Sequence, residues 1–222
     1  MSDQKPITAR RQELEGLAVG IELTLASVLQ GIPLALLIPR IVDLIVLGDI
    51  ARLLYVPASL LIVFLVWVAF IMYALSFSTW PFNPTHNLIY FGIVCAEAVL
   101  LALIDRPGTW FGSLCAFGIA MLINYSYNQR QLLRQQPLFG GAAAQALYDD
   151  ISAEQQIGVQ FCWGYLAVGI AGALSVPLLE QSGIAQPIVW SIASLIALVV
   201  PLLHTIWMMR MVPRRSQLIE QR

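Results

Sequence analysis

Charged residues are scarce in this sequence. Asp, Glu, Lys and Arg make up 11% of its 222 residues, where a soluble domain carries about 25%. The 12 basic and 13 acidic side chains leave a formal net charge of −1. That balance excludes the basic footprint of a nucleic-acid binder and the acidic tail of a solvated adaptor. Cysteine is equally thin: Cys95, Cys115 and Cys162 all fall inside apolar runs. They read as buried free thiols and not as a disulfide framework. The only histidines, His86 and His204, are too few for a membrane di-iron cluster or the axial pairs of several haems. Cys-x-x-Cys, Gly-x-Ser-x-Gly, His-Glu-x-x-His and a Gly-rich phosphate loop are all missing from the sequence, which removes the usual thiol, hydrolase, zinc and nucleotide chemistries. No catalytic residue, metal ligand or cofactor is therefore assigned. The one enzyme reading left would use Glu97 and Glu22 with an unsuspected Ser or Asn.

What the chain has instead is apolar length. Hydrophobic residues reach 59% and mean hydropathy is +0.76. At about 20 residues per crossing, such a chain has room for six transmembrane helices and little else. The expected spans are Gly16–Pro39, Leu53–Phe77, Leu88–Ile104, Gly108–Tyr127, Ile157–Leu179 and Pro187–Met209. The fold class is thus an all-α polytopic membrane protein, one domain over residues 1–222, with a short interfacial helix after span one. That helix is expected over Arg40–Arg52, where Arg40–Asp43 and Asp49–Arg52 form i,i+3 pairs. Asp105–Thr109 is short enough to make its flanking spans antiparallel neighbours. A linker at about 128–156 is the one sizeable polar piece and is expected to extend the spans on either side of it. Ser152 with Gln155 fits a capping box for the fifth helix. Tyr148-Asp149-Asp150 lacks the Gly-x-Gly-Asp partner of an intramembrane aspartyl protease and reads as a solvated acidic turn.

Orientation follows from the basic residues. Lys5, Arg10, Arg11, Arg130, Arg134, Arg210, Arg214, Arg215 and Arg222 fall on one side of the six spans, and only Arg40, Arg52 and Arg106 on the other. The tails 1–15 and 210–222 and the linker are therefore expected in the cytoplasm, in a bacterial-type cytoplasmic membrane. No short apolar core with an Ala-x-Ala site precedes the first span, so no cleavable signal is expected. The loop Ser78–Asn87, with Trp80, Phe82 and His86, suits a headgroup-level anchor. The repeats Leu17–Ile21 with Leu166–Ile170, and Ala58–Leu60 with Ala193–Leu195, are what few residue types produce by chance.

Ionisable residues inside a bilayer are costly, so they are the candidate sites. Glu97 lies within span three with no basic residue in that span; it reads either as a proton or cation site or as a neutral carboxyl joining helices. Glu22 near the start of span one, His204 after Pro201 in span six and Asn124 near the end of span four are further candidates for an ion or proton site. Their structural alternatives are a solvated span-end carboxylate, a packing histidine and an interhelical hydrogen bond. A half-channel from the cytoplasmic side to Glu97 is one way to join all four. Gly16, Gly20, Thr24, Ser27 and Gly31 share a narrow arc of span one, as do Gly112, Ala116 and Ala120 on span four and Ala167 and Ala171 on span five. These read as helix-packing faces, with a pore-lining stripe as the alternative for span one. Two functions remain: a small ion or solute channel or transporter subunit working as an oligomer, and a non-catalytic membrane subunit, whether anchor, assembly factor or sensor. The expected partners are the lipid bilayer and either further copies of the chain or another membrane subunit; nucleic acid is not expected.

Overall fold

The computed structural model describes residues 7–76 and 84–220, without the side chains of 7–15, 18, 19, 22, 75, 138, 143, 219 and 220. Lys5, Trp80, Phe82 and Arg222 lie outside the described residues, as do the side chains of Arg10, Arg11 and Glu22. The described chain forms α1 (Ile7–Val46), α2 (Ile50–Leu53), α3 (Tyr55–Ser76), α4 (Pro84–Ala102), α5 (Pro107–Gln135), a 3₁₀ turn (Gln136–Leu138), α6 (Ala142–Gln181) and α7 (Gln186–Glu220). Six of these helices are long and apolar enough to cross a membrane. The expected all-α, six-span class is what the chain adopts.

Each spanning helix has two principal neighbours, in the cyclic order α1, α4, α5, α6, α7, α3 and back to α1. The α5–α6 contact is the most extensive, and its cause is a heptad pattern. On α6 the buried line runs Gly158, Cys162, Tyr165, Gly169, Gly172, Val176, in steps of four and three. On α5 it runs Phe111, Leu114, Gly118, Met121, Tyr125, Asn128 in the same steps. This spacing keeps one seam of each helix against the other along an antiparallel pair. Glycine is required on the seam: a Cβ at Gly172 would overlap the Phe111 ring, and one at Gly158 the Tyr125 ring. Of the small residues singled out on spans four and five, Ala120 packs against the core. Gly112, Ala116, Ala167 and Ala171 are exposed. In span one, a Cβ at Gly16, Gly20 or Gly31 would meet nothing within 4 Å, so none of the described residues packs on these glycines.

Several boundaries move for local reasons. α1 runs through Pro33 and Pro39 to Val46, because a proline removes one backbone hydrogen bond without forcing a stop inside an apolar environment. The stop comes at Gly48, whose φ of 68° allows the paired bonds Gly48 N to Ile45 O and Asp49 N to Leu44 O. The interfacial piece is consequently only the four residues of α2, capped by Asp49 Oδ1, which accepts from Arg52 N at 3.1 Å. The expected Asp49–Arg52 pair is present at 3.3 Å.

The linker is more ordered than a capping box at Ser152 implies. α6 begins at Ala142 after Gly141, ten residues before Ser152, since Ala142–Leu147 is strongly helix-forming and buries Leu147. Tyr148, Asp149 and Asp150 are accordingly helical. Asp149 accepts from Gln145 at 2.9 Å on the exposed side, but Asp150 is buried. Leu132, Phe139, Ala144, Leu147, Tyr148 and Ile151 make a small apolar cluster there, separate from the main core. His86 corrects the headgroup-anchor reading: it sits in the first turn of α4, buried, stacked on Tyr73 at 3.7 Å between ring centres.

Candidate functional site

Glu97 is fully buried. Its position on α4 turns it toward α1, where Gln30 comes from a stretch otherwise apolar and small. The Gln30 amide nitrogen donates to Glu97 Oε2 at 3.2 Å and to the Tyr90 hydroxyl at 3.2 Å. Tyr90 and Glu97 are seven residues apart, two turns on one face of α4, so a single amide from the neighbouring helix reaches both. Glu97 Oε1 and Gln30 Oε1 are buried without a hydrogen-bond partner. The carboxyl thus has neutral partners and spare acceptor capacity inside an apolar bundle.

Tyr90 also lines a cavity of about 30 Å³ inside the helix ring, toward the α5–α6 linker end. That volume is room for one or two waters. Its walls come from five helices, with Phe70 and Tyr73 of α3 facing Asn124 and Asn128 of α5. Asn128 is the polar neighbour of His86, and Asn124 Oδ1 has no partner. At the linker end the wall is ionic. Arg215, 2% exposed, donates from Nε to Asp150 Oδ2 at 2.7 Å and forms an ion pair through Nη2 with Glu154 Oε2 at 2.6 Å. Arg214 reaches the other oxygen of Asp150 at 3.2 Å but is itself exposed. This arrangement explains why Asp150 and Glu154 stay buried on a helix that continues into the bilayer: one guanidinium satisfies both.

At the opposite end the ring is closed by aromatic side chains. Tyr55 meets Trp110 edge-on at 5.1 Å and Phe111 at 6.0 Å, all three essentially unexposed. The interior therefore holds a water-sized cavity with polar walls toward the linker end and is filled by aromatic side chains at the other.

Of the candidates read from the sequence, Glu97 and Asn124 belong to this chain of groups. His204 does not: it is buried between α6 and α7, stacked on Phe161 at 4.2 Å, with its Nδ1 3.2 Å from the Tyr165 hydroxyl. The backbone of Glu22 lies in α1. Gly20, Thr24, Ser27 and Gly31 are exposed, the hydroxyls of Thr24 and Ser27 bonded back to Gly20 O and Leu23 O. Gln30, Tyr90, His86 and the Arg215 cluster were missed. Gln30 carried a signal, as a large amide in the middle of an apolar run. Arg215 carried none, because its partners lie 61 and 65 residues away in sequence.

Fold and site together define a multi-pass integral membrane protein of six helices with a polar interior on one side. No family model, curated protein or solved structure matches the chain.

Proposed function

We propose that the protein is a small proton-permeation subunit in which Glu97 is the intramembrane site and the cavity at the linker end is its access from the cytoplasm. The observation that carries this reading is the hydrogen-bonded junction of Glu97, Gln30 and Tyr90, with Tyr90 on the wall of the water-sized cavity. Cavity size favours the proton as the species: about 30 Å³ has room for water but not for a hydrated metal ion or an organic solute. A carboxyl with a free oxygen is chemically able to take up and release the proton. Asn124, Asn128 and His86 supply the polar wall along which water would reach Tyr90. Copies would meet on the open Gly16–Thr24 face of α1, where none of the described residues covers Gly16 or Gly20.

Purified protein in liposomes loaded with a pH-sensitive dye tests this directly. A potassium diffusion potential should drive proton entry faster than in empty vesicles, while sodium and potassium flux stay at background. Background proton flux at every potential would favour the rival reading, a non-catalytic membrane subunit. That reading draws on the helical hairpin at 128–156 and its exposed Arg130 and Arg134, and pull-down through Gln129–Gln156 would then be expected to recover a cytoplasmic partner.

A further inference from the structure

The linker end of the water-sized cavity is walled by Ile151, Glu154 and Gln155 of α6 and by Arg215, which comes from the last turns of α7. The cavity is thus shut on that side by an ion pair between two helices, not by packed core.

The segment that carries Arg215 is held at few points. Past Pro213, Arg214, Ser216 and Gln217 are exposed, and only Arg215 and Leu218 turn inward among the residues whose side chains are described. These two are three residues apart, on one face of the helix. Arg215 meets Asp150 at 2.7 Å and Glu154 at 2.6 Å, and Leu218 packs on the small apolar cluster of the linker. Exposed Arg214 adds a contact to Asp150 at 3.2 Å.

Just before these attachment points the helix is weakened. Pro213 lies inside α7 and has no N–H to give to the Met209 carbonyl. Ser216 Oγ donates to the Val212 carbonyl at 3.2 Å, a back-bond that competes with the helix's own ladder. Proline and back-bonded serine are both sites where helices bend.

We propose that the end of α7 beyond Pro213 is a strap that closes the cavity from the linker side, latched by Arg215 on Asp150 and Glu154 and opening by a hinge at Pro213. Open, it admits bulk water; latched, it leaves room for one or two waters. Its bearing on protons rests on the path proposed above, whereas the strap itself does not.

Thiol labelling in nanodiscs tests it. Asn124→Cys puts a reporter on the cavity wall, and a sulfonated methanethiosulfonate is confined to water and larger than the cavity, so reaction reports an opening. In otherwise native protein the reporter should react slowly. Adding Arg215→Lys keeps the charge but loses the fork that spans two carboxylates. It should speed the reaction about tenfold, the ratio that losing one hydrogen bond to a charged group gives. Leu218→Ser loosens the strap outside the ion pair and should speed it roughly fivefold, which keeps the test sound even if Arg215→Lys misfolds. Pro213→Ala restores the missing hydrogen bond and should slow it several-fold. Cys115 and Cys162, in the α5–α6 seam, should stay at their native level of labelling throughout. A reporter that reacts as fast in otherwise native protein as in the loosened variants would overturn the proposal, as would a Pro213→Ala rate equal to the native one. A rise at Cys115 and Cys162 that matches the reporter's would also overturn it, because the whole bundle would then be loosening. No gradient is applied, so a strap that opens in a protein passing no protons upholds this device while overturning the proton path.

Discussion

At the scale of single residues, the buried arginine at the linker end and the buried carboxyl in the bilayer follow the same rule with different solutions. Asp150 and Glu154 are held by a full charge, Arg215, at 2.7 and 2.6 Å; Glu97 is held by a neutral amide. Removing Arg215 strands two carboxylates, and breaking a buried pair from one side typically costs about 3–5 kcal/mol. Arg215→Met should lower the unfolding temperature in detergent sharply. Arg214→Ala should leave it nearly unchanged, because the Arg214 side chain is 68% exposed and exposed pairs contribute about 0–1 kcal/mol. Equal losses in the two variants would mean that the Arg215 pairs are not formed. Glu97 was legible in the sequence as an unpaired acid in an apolar run. Its partner Gln30 and the pairing of Arg215 with Asp150 were not, because the helices that carry them are far apart in the chain and meet only through the folded ring.

At the scale of elements, the seam between α5 and α6 separates glycines that matter from glycines that do not. Gly158→Ala and Gly172→Ala put a methyl group into an aromatic ring and should destabilise by about 1–3 kcal/mol. Gly112→Ala, on the exposed face of the same pair, should be neutral or slightly stabilising, since alanine is the better helix former. Thermal unfolding of the three variants in one detergent decides the matter; a Gly112 variant as damaged as the Gly172 variant would contradict the seam. Gly20→Leu, in turn, should leave stability intact and shift the native mass toward the monomer, if copies meet on α1; an unchanged mass would mean that this face is covered by lipid. Small-residue arcs were legible, but which of them packed was not. A stripe of glycine and alanine suits a close neighbour and a lipid surface equally, and only the four-and-three spacing of large and small buried residues on α5 and α6 distinguishes the packed seam.

At the scale of the whole molecule, six crossings put the start of α1, the end of α7 and the α5–α6 linker at one end of the bundle, the end bearing exposed Arg130, Arg134, Arg210 and Arg214. The count of basic residues predicts that this end is cytoplasmic. Cysteine labelling at Ser2 and Gln221 should therefore fail from outside intact cells and succeed in inverted vesicles; outside labelling of either would overturn the topology. The number of spans was readable from hydropathy because the bilayer sets their length. Their cyclic order was not, since α4 packs beside α1 and α3 beside α7 through side-chain shape that hydropathy does not encode.

The central claim is that Glu97 works by exchanging a proton with the cavity, and Glu97→Gln is its most direct test. The amide keeps the size of the carboxyl and its hydrogen-bonding capacity but has no proton to exchange. In liposomes with an imposed potential, Glu97→Gln should reduce proton flux to that of empty vesicles while its unfolding temperature stays close to the native protein's. Glu97→Ala should lose the flux and also stability, by about 1–3 kcal/mol, because it leaves the Gln30 amide short of a partner. A Glu97→Gln protein that folds normally and still carries protons at the native rate would contradict the account.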